Sequence, residues 1–191
     1  MNREWEFYLL ALERFEADLR AGWEPPRDKL ELFWFDYLGD GDALDSEDDS
    51  VETLRMVQTG WPEVIREPRP LEGPESLYLL SLVFCHGTRL DQDPDCRHYE
   101  FGDESDLELT TALKGAGLWE RLTSREVAGL TPGVAGPRVA GAPGFGWLAR
   151  NELELAHRLP DVSGATELKD AAIEAERRER DLFAFSAFSS G

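Results

Sequence analysis

Residues 2–22 read Asn-Arg-Glu-Trp-Glu-Phe-Tyr-Leu-Leu-Ala-Leu-Glu-Arg-Phe-Glu-Ala-Asp-Leu-Arg-Ala-Gly, and the period assigned to this stretch decides the fold class. Trp5, Tyr8, Leu9, Leu12, Phe15 and Leu19 recur at three- and four-residue spacing. That spacing predicts one amphipathic helix from about Arg3 to Ala21. Asn2 would cap its start and Gly22 its end, with Glu16 and Arg20 four residues apart on the wet face.

The segments that follow extend a helical reading. Leu30, Phe33, Trp34, Tyr37 and Leu38 match a helical period over 28–38, although alternation of Leu32 and Trp34 with Phe33 and Phe35 leaves a strand open. A third helix is expected over about Glu47–Thr59, stopped by Gly60 and Pro62, with 61–73 as a proline-rich connector. Pro74 opens a segment, Leu77 to Cys85, that is apolar almost all round and belongs at the centre of a bundle. Ser105 and Glu108 form a capping box for a helix through about Leu113.

Glycines at 129, 133, 136, 141, 144 and 146, interleaved with Pro132, Pro137 and Pro143, exclude a regular element there. Helical periodicity returns over about Trp147–Leu159 and Ala165–Leu182, followed by a tail whose Phe183, Phe185 and Phe188 are expected to tuck onto the body. The expected fold is therefore mainly α, a single-domain bundle of six or seven helices. It divides into an acidic helical core over 1–128, a Gly/Pro-rich loop over 129–146, and C-terminal helices over 147–191 that pack on the core. An α+β fold with a few short strands is the alternative.

The chain has 191 residues, 39 acidic against 20 basic, for a net charge of −19. The asymmetry is local: residues 1–110 hold 28 acids and 10 bases, residues 111–191 hold 11 and 10. Such a field opposes nucleic acid, whose phosphates need a basic face, and admits a basic protein partner. Leu113 to Leu122 resembles, over those ten residues, the helix-to-wing transition of winged-helix proteins. That resemblance implies DNA contact, which the overall charge opposes. With 41% hydrophobic residues, including 6 Trp and 10 Phe, the chain is no disordered acidic tail. No run reaches the ~20 apolar residues of a membrane span. The acidic opening Met-Asn-Arg-Glu-Trp-Glu is unlike a secretion signal, and Cys85 and Cys96 read as free thiols, so a cytoplasmic protein is expected.

Two constellations could carry function. The first is an acidic run in which Asp40, Asp42, Asp45, Asp48 and Asp49 are the expected partner-binding residues. It fails as an EF-hand, since a loop beginning at Asp40 and Asp42 puts Leu44 fifth and Asp45 sixth, where an oxygen ligand and glycine are needed. The bland reading places its last acids in the first turn of a helix, where they favour the dipole. The second is Cys85-His86 with Cys96-Arg97-His98, four side chains of the kinds that bind zinc. The spacing matches no known finger, and adjacent residues on a helix diverge by about 100°. A thiol enzyme would use Cys85 with His98 as base; the structural alternative buries Cys85 as packing. Asp91, Asp93 and Asp95 with His86 could hold a divalent ion, and the glycines of 141–147 lack the Lys-Ser/Thr of a phosphate loop. No catalytic residue and no cofactor are assigned beyond this zinc candidate. The expected function is an acidic cytosolic protein-binding module, in concrete form a bacterial toxin-neutralising immunity or inhibitor protein that docks a basic partner. The alternative is a metal-dependent or thiol enzyme built on Cys85, His86, Cys96 and His98.

Overall fold

The computed structural model describes residues 2–38, 49–90, 100–101, 103–130, 144–162 and 164–189. The expected first helix divides at Ala11: Asn2–Leu10 is a strand, β1, and only Leu12–Arg20 is a helix, α1. Burial on both faces explains the difference. Trp5, Phe7 and Leu9 enter one apolar cluster, while Tyr8 and Leu10 enter another. A strand covered on both sides carries a continuous apolar run rather than alternation, and such a run fits a helical stripe as well as a strand.

After α1 come the helices α2 (Arg27–Leu38), α3 (Asp49–Arg66) and α4 (Gly73–His86), then the short strands β2 (Thr88–Arg89) and β3 (Glu100–Phe101). Helices α5 (Asp103–Gly115) and α6 (Trp119–Thr123) lead to strand β4 (Gly144–Leu148), a 3-10 turn at Arg150–Glu152, helix α7 (Glu154–His157), helix α8 (Ala165–Arg177) and strand β5 (Asp181–Ser189). The fold is thus mixed α+β, the alternative foreseen from sequence; helix is the larger part, as expected, but the helices pack on a sheet instead of forming a bundle alone. Two further expectations are corrected. Trp147–Leu159 is no single helix but the end of β4, the 3-10 turn and α7. The helix from Ala165 stops at Arg177, and the phenylalanine tail is strand β5.

The five strands form one antiparallel sheet in the order β2–β1–β5–β4, with β3 also paired to β1. Strands β1 and β5 pair along their whole length, from Asn2 opposite Ser189 to Leu10 opposite Asp181. On the other side of β5, β4 runs from Gly144 opposite Ser186 to Leu148 opposite Leu182. The sheet separates two cores, making three layers. One core joins Tyr8, Leu10, Phe145, Phe183 and Phe185 to the buried faces of α1–α4. The other joins Trp5, Phe7, Leu9, Leu148, Leu182 and Ala184 to α5–α8.

Helix α4 lies where its composition placed it: Tyr78 and every residue from Leu79 to Cys85 are buried, with α2 and α3 as helical neighbours. Helix α3 differs from expectation, running through Gly60 and Pro62 to Arg66. Leu54, Trp61 and Val64 share its buried stripe. Packing of that stripe offsets the ~3 kcal/mol an interior proline costs. The Gly/Pro-rich loop expected over 129–146 is corrected at its end, where Gly144, Phe145 and Gly146 open β4 as the strand partner of β5; residues 131–143 lie outside the described residues.

Candidate functional site

Of the acidic run, Asp40, Asp42, Asp45 and Asp48 lie outside the described residues, and Asp49 is described only as the first backbone position of α3. Cys96 and His98 also lie outside them. Cys85 and His86 are the last two residues of α4. Cys85 is buried in the core, and burial pushes its thiol up to about 11, the direction opposite to that of an activated thiolate. Its carbonyl accepts a hydrogen bond from Lys29 Nζ at 3.2 Å. His86 sits between the ring edges of Phe15 and Trp23, with centroids 5.1 and 5.2 Å away. Its Nε2 lies 3.0 Å from Asp18 Oδ2, and its buried Nδ1 has no partner among the described residues. Asp18, which sequence reasoning did not single out, stands 68 positions away and leaves no sequence signal of the pairing. Among the described residues no three His, Cys, Asp or Glu side chains converge as metal ligands. None of the described helices is long and apolar enough to cross a membrane.

A carboxylate-rimmed groove of about 470 Å³ lies between the second half of α3, the connector 67–72 and the start of α4. Val57 and Val64 contribute apolar wall, Glu63, Glu67, Glu72 and Glu75 the carboxylates, and Arg69 is the one cation among the lining residues. Arg69 forks onto Glu75, Nη1 to Oε2 at 2.8 Å and Nη2 to Oε1 at 2.5 Å, while the Glu72 amide donates to Oε2 at 2.9 Å. Burial pushes the Glu75 carboxyl up, but these bonds and the guanidinium charge outweigh it and hold the group below the usual carboxylate range. Glu63, Glu67 and Glu72 form no salt bridge among the described residues. Met56, 67% exposed, also lines the groove. Sequence reasoning treated 61–73 as a connector and missed this groove; the four-residue spacing of like-charged Glu63 and Glu67 was the available signal.

A second groove, of about 540 Å³, is bounded by the end of α1, the following turn, α3 and α4. Leu19, Trp23, Trp61 and Tyr78 form its walls, and the exposed Arg20, Glu24 and Arg66 also line it. Trp61 meets Tyr78 edge to face at 5.0 Å. Burial, with a smaller push from the Glu24 charge, raises the Tyr78 hydroxyl to about 12, so it remains a neutral donor. Comparison with protein-family models, curated proteins and solved structures finds no match to this chain.

Proposed function

We propose that this chain is an acidic protein-binding module of the cytoplasm that docks a basic protein partner, in concrete form a bacterial immunity or inhibitor protein that neutralises a toxin. The observation that carries this reading is the groove along α3. Glu63, Glu67 and Glu72 line it without salt bridges among the described residues, Val57 and Val64 offer apolar wall, and Met56 stands exposed on it. A Lys- or Arg-rich segment laid there would form charge-assisted hydrogen bonds while covering apolar surface. Asp40, Asp42, Asp45 and Asp48, which precede α3 in the sequence, and Asp49, its first residue, remain the expected partner-binding residues of the acidic run in this reading. The excess of 28 acids over 10 bases in residues 1–110 then steers encounter and selects partner charge.

The test is affinity capture from source lysate at low and at high salt, with the wild type and a Glu63→Gln/Glu67→Gln/Glu72→Gln variant. A basic protein should be retained at low salt and released at high salt. The purified pair should lose affinity by about tenfold or more in the variant, or ~1.4 kcal/mol. Failure to retain any basic protein at low salt, or retention indifferent to the triple substitution, overturns the reading. A second reading, a zinc or thiol enzyme built on Cys85, His86, Cys96 and His98, is supported by the buried Nδ1 of His86, which has no partner among the described residues, and opposed by the raised thiol pKa. Stoichiometric zinc in the purified protein would favour it.

A further inference from the structure

The geometry points to a second binding site of opposite preference: the groove walled by Trp23, Trp61 and Tyr78 takes a small planar aromatic carboxylate. Its volume, about 540 Å³, suits a one- or two-ring ligand. Trp23 and Ile65, both half-buried, and the exposed Pro62 offer the accessible apolar surface against which a ring can abut, while the edges of the buried Leu19, Trp61 and Tyr78 form the floor.

Charge chooses among aromatic ligands. Arg20 and Arg66 both line this groove, and neither has a carboxylate partner among the described residues. Arg14, Arg27 and Arg69, by contrast, are paired with Asp18, Glu31 and Glu75. A guanidinium next to an aromatic wall is a fork open to an external carboxylate. Glu24 is the one acid among the lining residues, so the local balance is positive. Aromatic walls alone would also accept a cation, and the two guanidiniums select against it. The surrounding negative field reaches the groove only through solvent, where it is screened over roughly 8 Å at physiological salt.

Trp23 touches His86 edge to face, with ring centroids 5.2 Å apart, so a ligand resting against Trp23 would change the surroundings of the His86 ring.

The test is calorimetric titration of the full chain with naphthoate, with its neutral amide, and with a naphthyl trimethylammonium. Naphthoate should bind about tenfold more tightly than the amide. Arg20→Gln and Arg66→Gln, at exposed positions, should each weaken naphthoate by roughly threefold or more, leaving the amide and the thermal midpoint unchanged. The bound state should also shift the His86 imidazole resonances. Equal affinity for acid and amide, preference for the ammonium, no binding at all, or indifference to both arginine substitutions would overturn the assignment. Each outcome stands apart from the basic-partner reading, which concerns the other groove.

Discussion

A methyl group at position 146 would lie 2.1 Å from the Arg121 carbonyl oxygen and 2.3 Å from Leu122 Cα. Helix α6 therefore rests directly on strand β4, backbone against backbone, and only a residue without Cβ permits the contact. Leu122 and Leu148, both fully buried beside it, depend on that approach. Gly60 offers the opposite case: it lies inside α3, and a Cβ there meets nothing within 4 Å. Gly146→Ala should cost about 3 kcal/mol by forcing helix and strand apart. Gly60→Ala should add up to about 1 kcal/mol through helix propensity alone. Urea midpoints measure both, and they should move in opposite directions. An unchanged midpoint for Gly146→Ala would mean that α6 does not sit on β4. From sequence alone Gly146 looked like one breaker among several; its role is packing, which composition does not reveal.

Elements on the second face of the sheet are tied together by a single carboxylate. Glu152, in the 3-10 turn, accepts from Arg121 and from Arg125 Nη1 at 2.5 Å, and from the Ala149 amide at 3.0 Å. Arg125 also donates to the Trp147 carbonyl at 3.1 Å and lies 3.6 Å over its ring. So α6, β4 and the turn share one charged knot. Burial pushes the Glu152 carboxyl up, but the Arg125 and Ala149 hydrogen bonds and both guanidiniums hold it below the ordinary range. A carboxyl lowered in the folded state stabilises the fold above its unfolded value, near 4.5, and that contribution disappears as pH falls through the folded value. Glu152→Gln should therefore cost about 2 kcal/mol at neutral pH and flatten the loss of stability on acidification. Urea titrations at descending pH check this; parallel curves for the two proteins would refute it. Element type was legible in sequence where one face alone is buried, as in α1, or where the apolar run is long enough to require a helix, as in α4. It was not legible in β1 or β5, where Trp5 to Leu10 and Leu182 to Phe185 feed cores on both sides and period two vanishes. The position of Cys85 and His86 at a helix end was readable too. The pairing of His86 with Asp18, and of Glu75 with Arg69 across the connector, arises only from tertiary approach.

The whole molecule is organised around the pairing of its first and last described strands. Strand β5 stands between β1 and β4, so the sheet has no continuous centre until residues 181–189 are in place. The loop closed by that pairing spans nearly the whole described chain, which makes it the costliest contact to form and delays the sheet in folding. Phe183 and Phe185 feed one core, Leu182 and Ala184 the other. Ending the chain after Arg180 would remove material from both at once, deprive β1 of its full-length partner and leave β4 without the strand it pairs with. A tail tucked onto a finished bundle would behave otherwise, its loss lowering the urea midpoint while one cooperative transition survived. For this fold the expected outcome is loss of the cooperative transition and of the near-ultraviolet dichroism of the buried tryptophans. A synthetic peptide covering 178–191, added to the shortened chain, should restore both, because it returns the strand that pairs with β1 and β4 and its binding is coupled to refolding of the rest. A shortened chain that still unfolds in one sharp transition would show that the two helical layers hold each other without β5, and the central place given to that strand would fall.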